Sequence, residues 1–160
     1  MSDLAVGAIA PDFSLLDDAG KTVKLSALRG KWVVLTFYAE DDTPTCTVQM
    51  CSFRDEFAGF QDADALVFGV SPDEPATHAS WRKREKFAFG LLSDPGDKVA
   101  TRYGAHGEKI MYGRPVVGVI RTTLILDPKG RVAWMQRKLR SPGHGARVLA
   151  ELRKVQAGYL

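Results

Sequence analysis

Residues 32–38, Trp-Val-Val-Leu-Thr-Phe-Tyr, run without polar alternation through mostly β-branched and aromatic side chains. Such a strand offers no face to water, so it belongs inside a sheet that is covered on both sides. That demand selects a layered α/β architecture. The 160 residues suffice for one such core and fall short of two ordinary domains, so residues 1–160 are expected to form a single domain. No apolar run approaches the roughly 18 residues of a membrane span. The first residues, Met1-Ser2-Asp3-Leu4, carry an acid where a secretory leader would be basic, so a cytoplasmic protein is expected.

The rest of the pattern alternates strands with helices. Residues 12–16 and 21–25 flank the turn Asp17-Asp18-Ala19-Gly20 and read as an amino-terminal β-hairpin that caps one end of the fold. Residues 46–60 place Met50, Phe53, Phe57 and Phe60 at helical spacing. A buried strand at 65–70 leads through Ser71-Pro72-Asp73 into a polar helix at 77–86. A short strand at 91–93, a short helix at 98–103 and an irregular stretch at 104–113 follow. A hairpin pairs 119–126 with 131–139, and an amphipathic helix at 146–155 uses Val148, Leu149, Leu152 and Val155. This order predicts an α/β, thioredoxin-like fold: a central mixed β-sheet flanked by helices, with the amino-terminal hairpin added.

Charge is unevenly spread. Residues 1–80 hold 5 basic and 13 acidic side chains, and residues 81–160 hold 17 and 6. The basic residues are scattered, apart from the cluster at 81–86, so they read as a steering field and no nucleic-acid partner is expected.

Chemistry concentrates in Thr43-Pro44-Thr45-Cys46, between a buried strand and a helix. Thr43 suits an N-cap and Pro44 the first helical position, which puts Cys46 third, inside the first turn. A thiol there faces open backbone amides and the positive end of the helix dipole, which favour thiolate. Taken alone, Cys46 reads more readily as a small apolar residue in phase with Met50, Phe53 and Phe57, since free cysteines are so often buried. Cys51, the other of the two cysteines, is five residues further along. Helix geometry separates two such Cα atoms by roughly 8.7 Å, whereas a disulfide spans about 4.4–6.8 Å. If the pair is functional, its oxidation must unwind the first turns of the helix.

Other chemistries lack their motifs. There is no C-x-x-C, no metal-ligand spacing among the cysteines and His78, His106 and His144, no glycine-rich phosphate loop and no serine elbow.

The segment 37–55, Phe-Tyr-Ala-Glu-Asp-Asp-Thr-Pro-Thr-Cys-Thr-Val-Gln-Met-Cys-Ser-Phe-Arg-Asp, resembles the active-site region of peroxiredoxins, in particular the bacterioferritin comigratory protein or peroxiredoxin Q subfamily. Ala10-Pro11-Asp12-Phe13, Gly69-Val70-Ser71 and residues 121–127 extend the resemblance along the chain. It implies a thioredoxin-dependent peroxidase, an antioxidant oxidoreductase reducing hydrogen peroxide and small organic hydroperoxides without cofactor or metal. Cys46 would be the peroxidatic cysteine. Cys51 would resolve its sulfenic acid as an intramolecular disulfide, for a thioredoxin-type donor to reduce. Thr43 would orient the peroxide, and Arg121, on a late strand, would stabilise thiolate and the leaving oxygen. Resolution within one chain implies a monomer, with no membrane partner.

Three positions depart from the subfamily pattern: Ala39 replaces a usual Pro, Thr45 a Gly and Gln49 a Glu. They bear on rate, peroxide preference and ease of helix unwinding. Two further readings compete: a non-catalytic redox sensor or holdase using the same helix switch, and a basic binding module with incidental cysteines.

Overall fold

The computed structural model describes residues 4–139 and 142–159. Its main sheet has seven strands: β1 (Ser14–Asp17), β2 (Thr22–Lys24), β3 (Trp32–Phe37), β4 (Ala65–Ser71), β5 (Gly90–Ser93), β8 (Thr122–Leu126) and β9 (Val132–Arg137). The order is β2-β1-β5-β4-β3-β8-β9. Strand β3 runs parallel to β4 and antiparallel to β8, as its apolar run requires of an interior strand. The mixed, helix-flanked sheet expected from the sequence is therefore present.

Side chains of β3 alternate between two cores. Val33, Leu35 and Phe37 pack with Phe13, Leu92, Tyr103 and Leu124 on one face. Val34, with Tyr38 just past the strand, packs on the other with Met50, Phe53, Phe60, Trp81 and Leu152. This second core holds the helices α1 (Pro44–Asp55), α2 (Phe57–Asp62), α3 (Pro75–Glu85) and α5 (His144–Ala157). The first takes the amino-terminal segment and α4 (Lys98–Arg102).

Four expectations need correction. The helix expected over 46–60 is two helices broken at Glu56, whose N–H reaches back to the carbonyl of Phe53 at 3.2 Å in a tightened last turn. The break lets Phe60 meet Phe53 at 5.7 Å between ring centroids while Phe57 turns to Phe89 at 6.2 Å. The amino-terminal hairpin does not cap an end; it extends the sheet edge, β1 pairing with β5. Helix α3 starts at Pro75 with Glu74 at its N-cap, because Ser71 and Asp73 bond each other at 2.7 Å.

The stretch expected to be irregular is a second hairpin, β6 (His106–Met111) with β7 (Arg114–Val119). Its two-residue turn, Tyr112-Gly113, has positive φ at both positions (52° and 76°), as a turn of this type demands. Val119 belongs to this hairpin, and the chain breaks at 120–121 before β8 begins.

Candidate active site

The register of the sheet builds the site. Phe37, the last residue of β3, lies opposite Thr122, the first of β8. Arg121, one residue before β8 and so not in a strand, therefore stands beside the chain as it leaves β3 for α1. Cys46 is reached along that same chain.

Thr43 takes the N-cap position of α1 and Pro44 the first helical one, so Cys46 is third, as expected. The first regular helix bond joins the Thr47 N–H to the Thr43 carbonyl at 2.8 Å. The Thr43 hydroxyl makes no side-chain cap; it donates to the Glu40 carbonyl at 3.1 Å. Cys46 is 4% exposed and Cys51 half-buried, and both are free thiols.

Half-burial draws the Arg121 guanidinium below its ordinary pKa, and the charge available on Cys46 opposes that fall, so the two groups share one electrostatic environment. Arg121 is braced by its Nη2, which donates to the Leu139 carbonyl at 3.1 Å. It also lines a cleft of about 620 Å³ together with Lys109, Ile110, Ile120, Lys138 and Leu139. Cations and apolar side chains, with Glu108 among them, thus share its wall.

Cys51 is not brought to Cys46. Its Sγ donates to Oε1 of Glu85 at the end of α3, 3.6 Å away. Burial, with Glu85 beside it, pushes this thiol up in pKa, against the pull of Arg54. This neutral thiol of α1 is thereby tied across to α3.

Behind Cys46 runs a buried polar chain that sequence patterns do not reveal. The amide Nε2 of Gln49 donates to Thr36 Oγ1 at 2.7 Å and the Phe37 carbonyl at 3.3 Å. Thr36 Oγ1 contacts Thr123 Oγ1 at 2.8 Å, and Thr123 Oγ1 contacts His144 Nε2 at 3.0 Å. Burial, then Arg121 and Arg147, lowers the His144 pKa to about 4. Neutral His144 accepts when its hydrogen is on Nδ1, and in that tautomer the links run from Gln49 to Thr36 to Thr123 to His144. Gln49 Oε1 is buried with no partner, leaving one acceptor of the departing residue unmatched. The only sequence signal was a polar residue at each of four positions among apolar neighbours, which is too faint to connect them.

A model of the AhpC/TSA family matches residues 6–135. The chain belongs to the AhpC/TSA family. Peroxiredoxin Bcp of Bacillus subtilis is 37% identical over 150 residues, spanning 94% of this chain and 96% of that protein. Among solved structures, Xanthomonas campestris peroxiredoxin Q superposes with a TM-score of 0.86 at 35% identity, covering 96% of this chain and 97% of the other. A cysteine-to-serine mutant of Xylella fastidiosa PrxQ gives 0.89 at 28% identity, with 96% and 98% covered. The resemblance read from residues 37–55 thus holds for nearly the whole chain. Peroxiredoxin chemistry, a peroxidase activity of the oxidoreductase class, comes with that family, as does the thioredoxin-like fold. No helix among the described residues is long and apolar enough to cross a membrane.

Proposed function

We propose that this AhpC/TSA-family protein is a cofactor-free thiol peroxidase acting through Cys46 and Cys51 within one domain. The observation that carries the reading is Cys46 in the first turn of α1, 4% exposed and electrostatically coupled to Arg121. The Cys46 thiolate attacks a peroxide oxygen: an S–O bond forms, the O–O bond breaks, and water or an alcohol leaves after protonation. The cysteine becomes a sulfenic acid. Arg121, a permanent cation with fixed donors, stabilises the thiolate and the charge moving onto the leaving oxygen. Thr43 orients the peroxide at the mouth of the helix.

The Cys51 thiol then displaces the sulfenic oxygen, forming the S–S bond and releasing water, and an external dithiol of the thioredoxin type returns two electrons. Because α1 is intact over Pro44–Asp55, this step requires its first turns to unwind. Hydrogen peroxide and small organic hydroperoxides are the substrates. Similarity to an X. campestris bacterioferritin comigratory protein described with alkyl peroxide reduction activity supports the organic class. A monomer in the reducing cytoplasm suffices for this cycle.

The test is intact mass after one equivalent of hydrogen peroxide. The reduced wild type should lose two hydrogens and Cys51→Ser should give a trappable sulfenic acid. A wild type that stays unoxidised, or peroxide consumption that survives Cys46→Ser, would overturn the reading. Oxidation without turnover in the presence of a thioredoxin system would favour the sensor instead.

A further inference from the structure

A second buried polar cluster sits immediately ahead of the site, and the reaction above makes no use of it. Asp41, five residues before Cys46, has a side chain 1% exposed that meets His78, itself 0% exposed, with Oδ2 and Nδ1 2.7 Å apart. The hydroxyl of Tyr38 donates to Asp41 Oδ1 at 2.6 Å. The other His78 nitrogen, Nε2, is 3.0 Å from the Leu92 carbonyl on β5. The Asp41 N–H in turn donates to Asp73 Oδ2 at 2.7 Å, which the Ser71 hydroxyl also reaches at 2.7 Å. One loop residue is thereby tied to Tyr38 just past β3, to α3 and through it to β5, and to the turn after β4.

The hydrogens are fixed by what each partner can do. A carbonyl only accepts, so His78 Nε2 carries hydrogen. One further proton must lie between Nδ1 and Asp41, whichever of them holds it. Tyr38 stays a donor, since burial and the neighbouring Asp41 carboxylate push its phenol well above the ordinary value. Asp41, Asp73 and His78 bring three atoms of metal-ligand type within 4.8 Å of one another. Both His78 nitrogens are already committed to protein partners, however, so a cation would have to break the Asp41 contact to enter. The cluster is built as a clamp.

The residues next to Asp41 are held as well. Asp42, at φ 62°, pairs with Arg84 of α3 at 2.8 Å, and the Thr43 hydroxyl is bonded to Glu40. The loop from 40 to 43 is therefore fixed, while the turns after it must melt for resolution. We propose that Asp41, held by His78 and Tyr38, is a positioning residue that presents Thr43 and Cys46 in the arrangement that reacts with peroxide, and stays in place while the following turns unwind. This rests on the roles given to Cys46 and Cys51 above.

The test separates the two chemical phases by stopped-flow tryptophan fluorescence on the full chain, with intact mass to identify each product. Asp41→Ala should slow the peroxide-dependent phase by about 10-fold or more, the scale of a misplaced reacting group. The peroxide-independent phase, disulfide formation, should be no slower than in wild type. Asp41→Asn can still accept from Tyr38 and donate to His78 Nδ1, so it should bring the first phase back to within about 3-fold of wild type. Tyr38→Phe keeps the ring and removes one bond; it should slow the first phase severalfold and decides the matter if Asp41→Ala does not fold. An unchanged first phase in Asp41→Ala or Tyr38→Phe, equal slowing of both phases, or failure of Asp41→Asn to restore the rate would overturn the clamp while leaving the peroxidase reading intact. A wild type that forms no sulfenic acid at all would overturn that reading, and the clamp with it.

Discussion

The Sγ of Cys51 lies 3.6 Å from Oε1 of Glu85, which ties the second cysteine of α1 to the last residue of α3. Glu85 is itself held between Arg54 and Arg84, at 3.8 and 3.7 Å. Its carboxylate both accepts the thiol hydrogen and adds to the burial that raises the Cys51 pKa. Disulfide formation needs this contact broken and the thiol ionised, so Glu85 opposes resolution twice. Glu85→Gln should speed disulfide formation at neutral pH by about 2- to 5-fold, in line with a larger thiolate fraction. In a pH series the inflection of that phase should move downward relative to wild type. An unmoved inflection would show that Cys51 ionises only after it has left Glu85.

Arg121 is predicted to act on the first step and not on the second. Arg121→Met removes the half-buried cation coupled to Cys46, and should lower the second-order rate with hydrogen peroxide by about 100-fold or more, the scale of losing one preorganised donor to developing charge. Arg121→Lys keeps a charge but not the planar fork and should recover only part of the loss. Competition for peroxide against a reference peroxidase measures both. Equal rates in wild type and Arg121→Met would remove Arg121 from the mechanism.

How much of this was legible beforehand depended on how local each signal is. The interior position of β3 follows from its own six side chains, and Cys46 in a first helical turn follows from Thr43 and Pro44 just before it. The β6–β7 hairpin was missed because its turn is Tyr112-Gly113, where the usual signal is Asn-Gly or Asp-Gly. The break at Glu56 was missed because Phe53, Phe57 and Phe60 fit one continuous helix face equally well. The polar groups joining Asp41 to His78 and Gln49 to His144 are brought together only by the sheet register and helix packing. No periodicity within one segment can announce a partner 37 residues away.

Where α5 meets α1, a glycine is demanded by contact. A Cβ added to Gly145 would lie 2.2 Å from the Ser52 carbonyl oxygen and 2.4 Å from its carbon, backbone atoms that cannot swing aside. The Gly145 N–H also donates to Ser52 Oγ at 2.9 Å, a bond that needs the close approach. Gly145→Ala should therefore cost about 3 kcal/mol by overpacking, lowering Tm by about 6–12 °C in a chain of this size. Gly158→Ala is the control, since its nearest neighbour would be the Lys154 carbonyl oxygen at 3.9 Å. Calorimetry showing equal Tm values for the two variants would contradict the packing of α5 on α1.

His144 makes the fold sensitive to mild acid. Its pKa falls from 6.5 to about 4 through burial, then through Arg121 and Arg147, and its place at the start of α5 adds the positive end of a helix dipole. The unfolded chain binds a proton near pH 6.5 that the folded chain refuses until about pH 4. The unfolded state thus holds more protons across that window, and stability drops as pH falls through it. One group shifted this far contributes up to about 3 kcal/mol, fully present above the unfolded value. His144→Asn can still accept from Thr123 but does not titrate, so its unfolding free energy from urea melts should start lower at neutral pH and lose less across the window. A wild-type decline reproduced in full by His144→Asn would show that other groups carry the acid response.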